Sequence, residues 1–230
     1  MKKGNWIGML PFYLLAAIIC IGAARIGSGA VTASVQSEGV ERNHRIVIDA
    51  GHGGIDGGAT SCTGVLESTI NLQIALRLND LMHLLGYETV MIRTTDTSVY
   101  TEGNTIAAQK VSDLKERVRI VNETENAILI SIHQNIFPDS RYDGAQVFYA
   151  PTEGSQELAQ AMQPVLCTAR KCKSGDSVYL LQNIDTTGIL VECGFLSNPE
   201  EEAKLRDPGY QQLLCGKIVS ALSGYLKTKD

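Results

Sequence analysis

From residue 45 onward the chain alternates short, continuous apolar runs with longer stretches whose apolar residues recur every three or four positions. The runs RIVIDA (45–50), ETVMIR (88–93), AILISIH (127–133), AQVFYA (145–150), VYLLQ (178–182) and GILVEC (188–193) are predicted as strands. Unbroken hydrophobicity marks strands covered on both faces. Between the first two, Leu66, Ile70, Ile74, Leu78, Leu81 and Leu85 recur at helical spacing, and Gly86 stops the helix. Further helices are predicted over 113–124, where Leu114, Val118 and Val121 form a stripe, over 155–169 with a kink at Pro164, over 198–205, and over 208–226. Segment 94–112 has no clear period and reads as a surface excursion near the sheet's edge. Such alternation predicts a single layered α/β domain, a largely parallel mixed sheet of about six strands flanked by helices.

Upstream the pattern is different. Lys2 and Lys3 precede an apolar run over 7–24 that is followed by small residues, the layout of an export signal and just long enough to span a bilayer. Ser28-Gly29-Ala30 and Val31-Thr32-Ala33 are both passable cleavage sites, so residues 1–30 read as a removed signal or a retained membrane anchor. Residues 31–44 are polar and aperiodic, a tether, and the folded domain is expected over 45–228. Either reading of the leader places the domain outside the cytoplasm and leaves that segment as its one membrane contact.

Charge removes one class of partner. Setting aside Lys2, Lys3 and Arg25 leaves 17 basic against 25 acidic residues, a net of −8, and such a surface repels a phosphate backbone. Nucleic acid is therefore excluded as a partner. Five cysteines follow the leader, Cys62, Cys167, Cys172, Cys193 and Cys215, an odd number with no C-x-x-C pair. They read mostly as small buried hydrophobes rather than a disulfide frame or metal cage. Cys167 and Cys172 could bridge only if the helix containing Cys167 ends between them.

Polar residues at the strand ends carry the candidate chemistry. His52 follows the first strand, His133 ends the third and Glu192 ends the last, while Glu67 lies in the first turn of the long helix. In an open α/β sheet, ligands bind outside the carboxyl ends of the strands, where all four residues would meet. Two imidazoles and a carboxylate are a common ligand set for catalytic zinc, with a further position left for water. His52, Glu67 and His133 fit that set, and Glu192, embedded in ILVECGFL, suits a proton acceptor because burial raises a carboxylate's pKa. Asp49 or Asp56 would orient His52 through its free ring nitrogen. Each residue also has a plainer reading: a surface histidine, a carboxylate complementing a helix N-terminus, or Glu192 paired with an arginine such as Arg93. His44 falls in the tether and His83 on the polar side of the long helix. The glycines of GHGGIDGG do not make a nucleotide loop, because Asp56 stands where G-x-G-x-x-G needs its third glycine.

Four blocks in order, VIDAGHGGIDGGA, GVLESTINLQIALRL, SIHQN and LVECGFLSNPEEEAKL, resemble the zinc-dependent N-acetylmuramoyl-L-alanine amidases of the amidase-3 family. The resemblance covers nearly everything from 45 to 226, and it is nearest to the compact germination-specific (CwlD-type) amidases of spore formers. It implies one zinc ion per chain held by His52, Glu67 and His133, with Glu192 as catalytic base. It further implies peptidoglycan as substrate, cleavage between muramic acid and the first L-alanine, and a step preceding muramic lactam formation in spore cortex. Ala50, where many relatives have proline, Gln134, where many have alanine, and Cys193, where leucine is frequent, depart from the family pattern without touching the ligand set. Asn135, beside His133, is expected to contact substrate. A zinc exopeptidase and a catalytically silent wall-binding module on the same scaffold are the rival readings. Whether a protein partner activates the enzyme is not written in the sequence.

Overall fold

The computed structural model describes residues 43–166 and 169–229. The leader, nearly all of the tether and the Cys167 half of the Cys167–Cys172 pair lie outside the described residues. Among those described, no helix is long and apolar enough to cross a membrane.

Six strands and six helices alternate: β1 (Arg45–Ala50), α1 (Glu67–Leu84), β2 (Glu88–Met91), α2 (Ile106–Glu123), β3 (Ala127–Asn135), β4 (Gln146–Tyr149), α3 (Ser155–Val165), β5 (Lys173–Ser174), α4 (Tyr179–Asn183), β6 (Thr187–Phe195), α5 (Pro199–Arg206) and α6 (Pro208–Leu226). They build one sheet in the order β2-β1-β3-β6-β4-β5, with every neighbouring pair parallel except β4 and β6. This is the layered, mostly parallel α/β domain that the alternation predicts.

Successive strand residues point to opposite faces, and both faces are covered. Ile46, Ile48, Ile128, Ile130, Ile132, Ile189 and Val191 pack on one side with Ile70, Ile74 and Leu78 of α1, Leu158 and Met162 of α3, and Ile218 and Leu222 of α6. Val47, Leu129 and Leu190 face the other side, against Val121 of α2 and Leu180 and Leu181 of α4. Two cores therefore sandwich the sheet, which explains the continuous apolar runs.

Three expectations need correction. VYLLQ forms helix α4, not a strand: Leu180 and Leu181 both bury into the α2 side of the sheet, and an apolar run of five residues fits either structure. The sixth strand is instead β5, whose Lys173 and Ser174 are both exposed at the sheet edge and so carry no hydrophobic signature. Helix α2 begins at Ile106 rather than 113. Thr105 caps it, its Oγ1 accepting from Ala108 N at 3.2 Å, and its first turns leave Ile106 and Val111 exposed, so no buried stripe announces them. Helix α3 ends at Val165, one residue after Pro164, so the proline closes the helix rather than kinking a longer one.

The carboxyl ends of β1, β3 and β6 share one rim. His133 pairs in register with Glu192, but the next pair is Asn135 with Phe195, so β6 carries one extra residue there. This bulge sits directly after Glu192 and bends the strand end where a re-aimed side chain matters.

Candidate active site

Glu67 is the hub of the rim. It opens α1, and its carboxylate is almost fully buried. Oε1 lies 3.0 Å from His133 Nδ1 and accepts from Gln134 N at 3.1 Å and Asn71 Nδ2 at 3.1 Å. Oε2 lies 3.2 Å from His52 Nε2 and accepts from Ala59 N at 3.0 Å. Burial opposes the charge, but the bonds and charges of His133 and His52 outweigh it and hold this carboxyl far below the usual range. One ligand atom from each of His52, Glu67 and His133 falls within 4.8 Å of the others, a convergent two-imidazole, one-carboxylate set suited to a divalent metal ion.

The loop after β1 is shaped around this cluster. A Cβ on Gly51 would stand 2.1 Å from His133 Nε2, so only glycine leaves room for that ring. Gly58 has φ +67°, and a Cβ there would meet Glu67 Oε2 and His52 Cδ2 at 2.7 Å each. His52 itself adopts φ 61°, a left-handed conformation that costs a non-glycine residue roughly 1–2 kcal/mol. Its Nδ1 lies 2.8 Å from Asp56 Oδ2, and Lys110 Nζ donates to Asp56 Oδ1 at 2.7 Å. Burial works against a charged His52, yet Glu67 and then Asp56 raise its pKa to about 9. Partial burial likewise opposes charge on Asp56, but Lys110 and His52 bring it down to about 2. A metal ion binding here would compete with a proton for His52.

Two arginines hold that strained loop by its carbonyls. Arg93 donates from Nε to Ala50 O at 2.7 Å and from Nη2 to Gly51 O at 3.0 Å and Ser68 O at 2.9 Å. Arg117 donates from Nη1 to Ala50 O at 3.0 Å and from Nη2 to His52 O at 2.7 Å. Asn71 Nδ2 adds a bond to Gly51 O at 3.1 Å. Both guanidiniums are buried, and Arg117 is neutralised by Asp113 Oδ2 at 2.6 Å and by Asp49. Burial disfavours the Arg117 charge, but these two carboxylates outweigh it and raise its pKa. Arg117→Met would strand Asp49 in the interior, at a cost of about 3–5 kcal/mol. Chemical denaturation should show that loss, and Asp49→Asn added to Arg117→Met should recover part of it.

Asp49 is therefore not the partner of the His52 ring. It accepts from Ser131 Oγ at 2.6 Å and pairs with Arg117, because its position inside β1 turns it into the α2 side of the sheet. Nor does Arg93 pair with Glu192, since its guanidinium is committed to the loop carbonyls. Asn135 ends β3 two residues after His133, with its backbone oxygen accepting from Leu196 N at 2.8 Å. Cys193 is buried, and its Sγ faces Val191 O at 3.7 Å. Cys215 is buried as expected, whereas Cys62 is exposed. His83 is exposed and lies 2.5 Å from Thr89 Oγ1. The sequence reading missed Arg117, Asn71 and Asp113. The aspartate inside the buried strand β1 was the available signal, because a buried carboxylate demands a cation.

Glu192 stands beside His133 on the neighbouring strand. Its Oε2 is buried without a hydrogen-bond partner. Burial pushes its pKa up to about 7, with His133 and His52 pulling against the rise and the Glu67 charge adding to it. A carboxylate near neutrality beside a convergent metal-ligand set can take and return a proton at ordinary pH.

Comparison with known proteins agrees with this arrangement. Residues 46–224 match the family profile described as N-acetylmuramoyl-L-alanine amidase. The chain is 37% identical over 191 residues to the germination-specific N-acetylmuramoyl-L-alanine amidase of Bacillus subtilis, covering 80% of each. Its fold matches the CwlD amidase of Clostridioides difficile, solved in complex with the GerS lipoprotein, with TM-score 0.77 and 36% identity over 80% of this chain and 98% of that one. It also matches an N-acetylmuramoyl-L-alanine amidase of Clostridium difficile 630 with TM-score 0.71 and 33% identity, over 81% of this chain and 98% of that one. With one residue from each of the four sequence blocks gathered on one rim and the match running through nearly the whole folded domain, the chain belongs to the amidase-3 family of N-acetylmuramoyl-L-alanine amidases.

Proposed function

We propose that residues 45–228 form an exported zinc amidase that detaches stem peptides from peptidoglycan through His52, Glu67, His133 and Glu192. The observation that carries this reading is the convergence of one carboxylate and two imidazoles next to a buried, unpartnered Glu192 oxygen. The donor set fits zinc, with His52, Glu67 and His133 as ligands. Zinc held there would supply Lewis acidity toward the amide carbonyl and toward the attacking water. Glu192 accepts the proton of the attacking water and delivers it to the nitrogen of the departing L-alanine. The lactyl carbonyl carbon thereby gains an oxygen and loses the amine, leaving a free lactyl carboxylate on the glycan and an intact stem peptide. Asp56 fixes the ring of His52, and Asn135, two residues after His133, is the further substrate contact in this reading.

The likeness to the Bacillus germination-specific enzyme supports a role in spore cortex, before muramic lactam forms. The related CwlD amidase was solved with a lipoprotein, which supports a protein partner for this chain as well. Mass spectrometry of purified peptidoglycan digested with and without a chelator tests the activity. Intact stem peptides with new alanine amines, lost on chelation and restored by zinc, are expected. Stem peptides shortened residue by residue would indicate the exopeptidase, and zinc uptake without any product would indicate the silent wall-binding module.

A further inference from the structure

The loop over 136–144 joins β3 to β4, which lie on either side of β6, so it crosses the carboxyl end of β6 just beyond Glu192. It displays apolar side chains there: Ile136 is 50%, Phe137 44% and Tyr142 44% exposed. The Phe137 and Tyr142 rings lie 4.4 Å apart and tilted, and Tyr142 is 6.1 Å from Phe195. The Arg170 guanidinium sits 4.9 Å over Phe195 and 5.8 Å from the centroid of Tyr142.

This loop is pinned along its length. Phe137 N donates to Ser197 Oγ at 3.1 Å, Asn198 Nδ2 to Tyr142 O at 3.3 Å, Arg170 Nε to Asp143 O at 3.1 Å and Gly144 N to Glu201 Oε2 at 2.8 Å. Glu201 also accepts from Phe195 N at 3.1 Å, tying the loop to the end of β6. Rings left 44% exposed forgo part of their burial, roughly 1 kcal/mol each, and such exposed apolar patches mark binding surfaces. Pre-organisation reduces the ordering cost a ligand must meet.

We propose that Phe137 and Tyr142 form a ledge on which the glycan strand of the substrate stacks as it leaves the catalytic rim. This rests on the amidase reading above. With the scissile amide beside Glu192, the muramic acid ring and its neighbours along the strand must pass over the rim, and the 136–144 loop is the rim surface next to β6. Pyranose rings present apolar C–H faces to aromatic planes and hydroxyls to water, which matches exposed rings flanked by a self-neutralised pair, Arg141 Nη2 to Asp139 Oδ2 at 2.7 Å. Long strands are then preferred over isolated muramoyl-peptides, with the ledge setting that preference.

The test measures binding of peptide-free glycan strands, which carry no scissile amide, to the Glu192→Gln protein. Combined Phe137→Ala and Tyr142→Ala should weaken strand binding about tenfold, as two lost ring contacts would. Phe137→Tyr with Tyr142→Phe should restore it. In the chain without ring substitutions, saturating aromatic protons should transfer signal to the sugar C–H protons. In the otherwise unmodified enzyme, the ratio of kcat/KM on long strands to that on muramoyl-peptide should fall about tenfold with the loss in KM. Unchanged strand binding in alanine variants that keep their melting temperature, absence of saturation transfer, or loss that the aromatic swap does not recover would each overturn the ledge. Strand binding without release of alanine amines would instead overturn the amidase reading alone.

Discussion

Replacing Glu192 with glutamine should reduce amide hydrolysis by about 10²–10⁴-fold, the usual contribution of a positioned acid–base group, while metal stoichiometry stays at that of the parent. Glutamine keeps the shape and cannot take a proton. The substitution should also reveal what the native carboxyl costs. Burial raises Glu192 to about 7, above the ordinary carboxyl value of 4.5, so the metal-free folded chain binds this proton more tightly than the unfolded one. The resulting stability is complete below the ordinary value and is lost as pH rises through about 7. Glu192→Gln should therefore stabilise the metal-free protein at pH 8 by up to about 3 kcal/mol and confer no such gain at pH 4. Denaturant titrations at the two pH values check the sign. Because the base must be ionised, activity should decline on the acid side, and the positive charge of a metal ion held by His52, Glu67 and His133 would move that decline below about 7. A near-parental rate in a zinc-loaded Glu192→Gln protein would remove Glu192 from the mechanism.

The second large effect belongs to Glu67. Glu67→Gln should weaken zinc binding by more than about a hundredfold, beyond the loss typical of residues that merely orient a ligand, and should remove activity with it. Stability should fall less than in Glu67→Ala, because the amide oxygen can still accept from one of the groups that converge on the carboxylate. Glu67→Ala leaves the buried Gln134 N without its acceptor, at about 1–3 kcal/mol, and also removes one acceptor from the part-buried Ala59 N and from Asn71 Nδ2, which keeps Gly51 O. Calorimetric zinc titration separates the first effect from the second. If Glu67→Gln bound zinc as the parent does, the carboxylate would be a structural hub only.

The sequence exposes the side chains that meet at the rim because position and chemistry coincide there. His52, His133 and Glu192 each follow an apolar run, and a reactive residue at a strand end is conspicuous. The supporting arginines are hidden for the opposite reason. Arg117 sits among Lys115, Glu116 and Arg119 on a helix whose exposed face is equally charged, so only packing against Asp49 distinguishes it. Periodicity located helices with a buried stripe and missed the first turns of α2, where Ile106 and Val111 face solvent. It misassigned VYLLQ because two adjacent leucines bury equally well from a strand or from a single helical turn beneath a sheet.

The carbonyl cradle also bears on when the enzyme can become active. Oxygens of residues 50, 51 and 52 are grasped by Asn71, Arg93 and Arg117, while the ligand set awaits residue 133 and the base residue 192. No early fragment of the chain contains these parts, and the His52 carbonyl lacks its Arg117 donor until α2 has docked. Hydrolytic competence is thus coupled to completion of the sheet, and contacts so distant along the chain form slowly. A chain emerging from synthesis carries no cutting edge until its final strand is in place.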